Sequence, residues 1–187
     1  MWNLPNILTL ARIAALPLLI VVFYLPWHWS NLAAAALFGL AALTDWFDGY
    51  LARKWNQMTP FGAFLDPVAD KLIVATSLLL LLVEYSTVWF MLPSMVIIGR
   101  EIVISALREW MAELGARSSV AVSMLGKVKT WAQMIAIALL LAFDPGEQLA
   151  VLGYIALYVA AILTLWSMIY YLKLAWPDLS GQRKHNN

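Results

Sequence analysis

Apolar stretches of roughly 20 residues recur along nearly the whole chain, each long enough to cross a hydrocarbon core about 30 Å thick at 1.5 Å of rise per residue. Six can be drawn, at about 5–25, 31–52, 63–83, 88–111, 119–142 and 149–173. A water-soluble domain carries charge over its surface, whereas only 12% of these 187 residues are charged and 63% are apolar. The pattern predicts an all-α, polytopic membrane protein with six transmembrane helices. They form a single domain over residues 1–179, followed by a polar tail at 180–187. No Lys/Arg-rich segment precedes the first apolar run and no small-residue cleavage site follows it, so the first helix is expected to be retained. Cysteine is absent, which excludes disulfides, thiolate metal sites and thiol nucleophiles.

The connections are short, and their charges alternate. Pro26 with Trp27 and Trp29, the stretch from Glu84 to Thr87, and Asp144-Pro145-Gly146-Glu147 mark three turns without Lys or Arg. The opposite side carries Arg53, Lys54, Arg117, Lys173, Arg183 and Lys184. By the positive-inside rule both termini and the two basic loops are cytoplasmic, and Trp27, Trp29, Tyr85, Trp89 and Tyr154 fit an aromatic belt at the outer interface. Pro5, shortly after Asn3, suits the start of the first helix.

Against this apolar background the acids of "TDWFDGYLARKWNQMTPFGAFLDPVADK" (Thr44 to Lys71) stand out. Asp45 and Asp48 are three residues apart at the cytoplasmic end of the second span, and Asp66 and Asp70 are four apart at the start of the third. Both spacings put two side chains on one helical face. If the two helices are antiparallel neighbours, the four carboxylates converge just below the cytoplasmic surface, where they cannot all stay ionised without cations. Hard oxygen ligands at this density suit two divalent ions, Mg²⁺ or Mn²⁺. A single Asp at a helix end is equally explained by solvation or capping; four together are not, because intramembrane acids are costly and usually functional. Gly49, Ala52 and Gly62 leave backbone open to a nucleotide, and Arg53 suits a phosphate, although small residues also serve helix packing and Arg53 also serves topology.

Read in order, these positions spell D-x2-D-G-x2-A-R-x8-G-x3-D-x3-D, which resembles the complete signature of the CDP-alcohol phosphotransferases. The resemblance implies a six-helix integral membrane enzyme, usually a homodimer, in which an alcohol displaces CMP from a CDP-linked lipid with the help of divalent metal. It implies that Asp45, Asp48, Asp66 and Asp70 hold the metal ions and that Asp70 also takes the proton of the attacking hydroxyl. Gly49, Ala52, Arg53 and Gly62 would then line the CDP pocket.

A second set of charges lies within the spans: Arg100 and Glu101, Arg108 and Glu109, Lys127 and Lys129. Arg108 and Lys127 fall within about 15 Å of the loop near Arg117 along the helix axes, on the same side as the aspartates, with Arg100 somewhat deeper. Glu101, Ser105 and Arg108 follow a four-then-three spacing, so Glu101 is expected to orient Arg108. A cationic cluster beside an acidic metal site suggests an acceptor that carries phosphate. The alternatives are charge balance, with Arg100 or Lys127 neutralising an Asp, and snorkelling of Lys129 to the interface.

"NLPNILTLARI", "GREIVISALREW" and "GKVKT" resemble the sections that flank the signature in bacterial members of the family whose acceptor is sn-glycerol 3-phosphate and whose donor is CDP-diacylglycerol. That likeness implies acceptor-phosphate binding by Arg100, Arg108 and Lys127, with Lys129 beside them. It implies contact of Asn6, Thr9 and Arg12 with the nucleotide or lipid diphosphate, unless Asn6 and Thr9 only satisfy helix-end backbone. It also implies the bacterial cytoplasmic membrane with the site facing the cytoplasm, membrane lipids and a second copy of the chain as partners, no nucleic acid, and a place in phosphatidylglycerol and cardiolipin biosynthesis.

Serine as acceptor is disfavoured because it has no phosphate for the Arg/Lys cluster; inositol phosphate offers the same anion, and phosphatidylglycerol is a further family acceptor. A divalent-cation transporter would need a polar route on the outer side, where the chain offers mainly Glu84, Asp144 and Glu147. His28 and His185 fall far from the aspartates in this topology.

Overall fold

A computed structural model describes residues 4–54, 59–113 and 124–179; within these ranges the side chains of 4–5, 46–54, 60, 63, 124–127 and 178–179 lie outside the description. The described residues form six helices: α1 (Leu4–Tyr24), α2 (Ser30–Lys54), α3 (Pro60–Tyr85), α4 (Val88–Glu113), α5 (Met124–Ala142) and α6 (Gln148–Leu179). Each expected apolar segment is met by one helix, and the ends move where local chemistry decides them. α3 starts at Pro60 rather than near residue 63, because Thr59 caps it: its hydroxyl accepts the Gly62 N–H at 3.0 Å, and Pro60 occupies a first-turn position that needs no N–H. Its C-terminus closes with Ser86 in the left-handed region (φ 37°), whose N–H returns to the Leu82 carbonyl. α6 runs past residue 173 to Leu179. For α5 the described helix begins at Met124, and the expected start near 119 lies outside the described residues.

α1 packs on α2 and α3, α5 lies against α2, α3 and α6, and α4 rests on α3 and α6. Leu19, Phe38, Leu78, Leu81, Phe90, Ile97, Ile137 and Leu140 fill the main core, and a second cluster of Ile104, Leu107, Met111, Tyr171 and Ala175 joins α4 to α6. The outer surface is equally apolar: Leu79, Val83, Met95, Ile102, Ile162 and Trp166 are all exposed. Apolar residues both inside and outside identify a protein whose solvent is lipid. Among the described residues three helices, α1, α4 and α6, contain stretches long and apolar enough to cross a membrane. Two others carry shorter apolar lengths, Ser30–Asp45 in α2 and Val128–Ala142 in α5. α3 carries Asp66, Asp70 and Lys71 in its first half.

The three turns without basic residues meet at one end. Asn31 donates to Asp144 at 2.6 Å, the Tyr85 hydroxyl donates to the Phe143 carbonyl at 3.0 Å, and the hydroxyls of Thr87 and Tyr154 lie 3.4 Å apart. Trp27, Trp29 and Trp89 project outward there, as a belt requires. Tyr85 does not: it is 5% exposed and stacks on Phe90 at 5.2 Å, so the belt position expected for it is corrected. Its hydroxyl finds a carbonyl partner inside the protein, which removes its need of the interface. α5 and α6 approach closely at Gly153, where an added Cβ would sit 2.7 Å from Leu140 Cγ.

Candidate functional site

At the other end, α1 offers a polar stripe of Asn6, Thr9 and Arg12, spaced by three along one face, and all three side chains are buried. Each reaches a different part of the acidic stretch. The Thr9 hydroxyl donates to Asp66 Oδ1 at 2.6 Å. Arg12 Nη1 donates to Asp45 Oδ1 at 2.6 Å and lies 3.6 Å from Asp70 Oδ1. Asn6 Oδ1 accepts from the Thr59 hydroxyl at 3.0 Å, the same oxygen that caps α3. Two acids three and four residues from their neighbours on separate helices are thereby brought to one guanidinium, and their side chains stay well exposed, 39% for Asp45 and 43% for Asp70.

Gly62 is required by this contact. A Cβ there would stand 2.6 Å from Asn6 Oδ1 and 3.2 Å from Thr59 Oγ1, so only glycine lets Asn6 approach the start of α3. Asp48, Gly49, Ala52, Arg53 and Lys127 lie outside the residues whose side chains are described. Among the described residues no three acidic, histidine or cysteine side chains come together as a metal-holding group. Asp45, Asp66 and Asp70 nevertheless supply the hard, charged oxygens that a divalent ion takes, with Asp45 and Asp70 facing one cation as they would face a metal.

Asp70 also lines a cavity of about 530 Å³ that runs between α3, α4 and α5. Beside it on the wall are Lys71, Arg100, Glu101, Ser105, Arg108, Lys129 and Gln133. The volume lies in the range that holds a small polar ligand. Glu101 Oε1 accepts from Lys129 Nζ and, at 3.1 Å, from Arg100 Nη1. Arg100 Nη2 donates to Ser167 Oγ at 3.2 Å, and that hydroxyl donates on to the Thr164 carbonyl at 2.9 Å. The Tyr171 ring sits below both arginines, 5.9 Å from Arg100 Cζ and 5.8 Å from Arg108 Cζ.

These contacts correct one expectation and decide between alternatives for two residues. Glu101 does not orient Arg108; it holds Lys129 and Arg100, and Arg108 lies against Tyr171. Lys129 of α5 and the adjacent Arg100 of α4 both present a cation to the Glu101 carboxylate, and helical spacing alone shows neither the facing helix nor the direction a neighbouring side chain takes. Lys129 is buried and ion-paired, which removes the snorkelling alternative. The described ion pair of Arg100 is with Glu101 and not with an aspartate. Ser167 and Tyr171 of α6 were not legible as site residues, since nothing in an apolar helix marks which residues will face Arg100. Lys71 and Gln133 were visible as polar residues one and four positions from residues already singled out.

A family model described as CDP-alcohol phosphatidyltransferase matches residues 2–166, a span that contains both the aspartates and the cavity. The chain belongs to this family. Its similarity to individual members extends almost end to end. It is 57% identical over 181 residues to the CDP-diacylglycerol--glycerol-3-phosphate 3-phosphatidyltransferase of Escherichia coli (strain K12), covering 97% of this chain and 99% of that protein. The proteins of the same name from Shigella flexneri, at 57%, and Salmonella choleraesuis (strain SC-B67), at 56%, are covered to the same extent. In this chain an acidic group lies next to a basic one, and Asp70, which faces Arg12, also lines the cavity that carries Arg100, Arg108 and Lys129.

Proposed function

We propose that this chain is a CDP-diacylglycerol:glycerol-3-phosphate 3-phosphatidyltransferase. The primary hydroxyl of sn-glycerol 3-phosphate attacks the lipid-linked phosphorus of CDP-diacylglycerol; the new P–O bond gives phosphatidylglycerophosphate, and the diphosphate P–O bond breaks to release CMP. The observation that carries this reading is the position of Asp70, which faces Arg12 in the acidic group and lines the same cavity as Arg100, Arg108 and Lys129. The near full-length similarity to proteins of that name supports the choice of acceptor.

Each residue has a part. Asp70 accepts the proton of the attacking hydroxyl, a role that its place on the cavity wall suits. Asp45, Asp48, Asp66 and Asp70 would hold two divalent ions, Mg²⁺ or Mn²⁺, which when bound neutralise the diphosphate and the leaving phosphate. Thr9 and Arg12 keep Asp66, Asp45 and Asp70 in place. Gly49, Ala52, Arg53 and Gly62, with Asn6, border the nucleotide. Arg100, Arg108, Lys127 and Lys129 hold the acceptor phosphate, with Glu101 fixing Arg100 and Lys129.

In the same reading all six helices cross the bacterial cytoplasmic membrane, both termini are cytoplasmic, and the site opens to the cytoplasm. The alternation of basic and non-basic turns supports this orientation, and so does the grouping of the three non-basic turns at the end away from the aspartates. A lipid donor then arrives sideways with its headgroup at the interface, while the acceptor arrives from water. The working form is a homodimer. The test is transfer of labelled sn-glycerol 3-phosphate into extractable lipid by purified protein in detergent. Label should enter lipid only when CDP-diacylglycerol and a divalent metal are both present, and chelation should stop it; incorporation that persists after chelation contradicts the metal assignment.

A further inference from the structure

Gln133 stands on α5 one turn beyond Lys129 and lines the cavity shared by Asp70, Arg100 and Lys129. It is 4% exposed, and its Oε1 is buried without a hydrogen-bond partner among the described residues. A buried carbonyl oxygen left unbonded is unfavourable, and native proteins rarely keep one without a reason. The amide does not pair with the ionic group beside it, whose members are already bonded to one another: Lys129 and Arg100 to Glu101, and Arg100 to Ser167.

The chemistry of the wall divides the cavity. Arg100, Arg108 and Lys129 suit the dianionic end of an acceptor, and Asp70 suits the hydroxyl that reacts. A neutral carboxamide suits neither charge, but it both accepts from and donates to a neutral hydroxyl. Its terminal torsion is broad, so the oxygen turns toward a ligand at little cost. We propose that Gln133 is a specificity-determining residue that hydrogen-bonds the secondary, non-reacting hydroxyl of a phosphate-bearing polyol acceptor. The inference rests on the function proposed above and adds to it the reason that a vicinal diol is selected. An acceptor without that hydroxyl leaves the amide unpaired, which reduces transition-state binding by about tenfold or more.

The experiment compares sn-glycerol 3-phosphate with 3-hydroxypropyl phosphate, which keeps the primary hydroxyl and the phosphate and lacks the secondary hydroxyl. With CDP-diacylglycerol and Mg²⁺ in detergent, wild-type protein should prefer glycerol 3-phosphate by about tenfold or more in kcat/KM. Gln133→Met, matched in volume and without the amide, should use the two acceptors about equally. Gln133→Glu, which retains an acceptor oxygen, should keep a preference for glycerol 3-phosphate even where both rates fall. Equal use of the two acceptors by the wild type overturns the inference without any variant, and so does an undiminished preference in Gln133→Met. If Gln133→Met does not fold, loss of preference in Gln133→Glu overturns it instead. Turnover with neither phosphate ester but with another alcohol would overturn the proposed function itself, whereas efficient, equal turnover of both leaves that function standing and removes only the role of Gln133.

Discussion

Arg12 Nη1 lies 3.6 Å from Asp70 Oδ1 while donating to Asp45 at 2.6 Å, so a single guanidinium of α1 faces carboxylates from both α2 and α3. The first helix therefore does more than anchor the chain. It sets the spacing of two acids that would otherwise repel one another. Arg12→Ala should lower both turnover and the melting temperature in detergent, because it leaves neighbouring carboxylates uncompensated. Arg12→Lys should restore only part of each, since the shorter lysine side chain keeps the charge but does not carry its nitrogen as far as Arg12 Nη1, which faces both acids. Full activity in Arg12→Ala would show that the contact is incidental.

The proposed role of Asp70 as base predicts an effect separable from nucleotide binding. Asp70→Asn keeps the size and polarity of the side chain and removes its ability to take a proton. Turnover should fall by about 10²-fold or more, while binding of a CDP analogue, followed by calorimetry or fluorescence, should change little. Undiminished turnover would remove Asp70 from that role.

Arg108 lines the cavity and rests on the buried ring of Tyr171. Arg108→Gln should raise the KM for glycerol 3-phosphate by about tenfold or more, the usual loss for a charge-assisted hydrogen bond, and should leave the KM for CDP-diacylglycerol nearly unchanged. Tyr171→Phe should resemble wild type in both constants, because the ring face is kept, while Tyr171→Leu should raise the acceptor KM. An effect confined to the lipid donor would contradict the assignment of both residues.

Gly153→Ala tests the fold away from the site. The new methyl group would meet Leu140 Cγ at 2.7 Å and Leu139 Cβ at 3.2 Å, and Leu140 is itself buried. Overpacking of this kind costs about 1–3 kcal/mol. The variant should melt several degrees below wild type in detergent, and the KM for glycerol 3-phosphate in the folded fraction should be unaltered. An unchanged melting temperature would mean that α5 and α6 are free to separate there.

The sequence made the acidic end legible because helix period converts spacings of three and four into shared faces, and Asp45, Asp66 and Asp70 do meet the same stripe of α1. Turn positions were equally plain, since Pro26, Ser86-Thr87 and Pro145-Gly146 interrupt apolar runs that have no other reason to stop. Partnership between helices was not. Glu101 shares a face with Arg108, yet its partners are Lys129 of α5 and the adjacent Arg100, because periodicity gives the face and says neither which helix packs on it nor where a neighbouring side chain turns. For the same reason Asn6, Thr9 and Arg12 could be read as contacts of a diphosphate, while the structure also makes them supports of Thr59, Asp66 and Asp45. Tyr85 was misplaced because an aromatic at a helix end fits either a lipid interface or a core, and only the Phe90 ring and the Phe143 carbonyl decide between them. The start of α3 was recoverable: Thr59-Pro60 carries both a cap and a first-turn proline.

The most direct measurement is CMP release by purified protein in detergent with CDP-diacylglycerol and Mg²⁺, with glycerol 3-phosphate, serine or inositol phosphate supplied separately. A single cavity joining Asp70 to Arg100, Arg108 and Lys129 predicts release that depends on glycerol 3-phosphate and ceases with chelator. Release with serine at a comparable rate would contradict it, because serine offers no phosphate for the basic wall of that cavity.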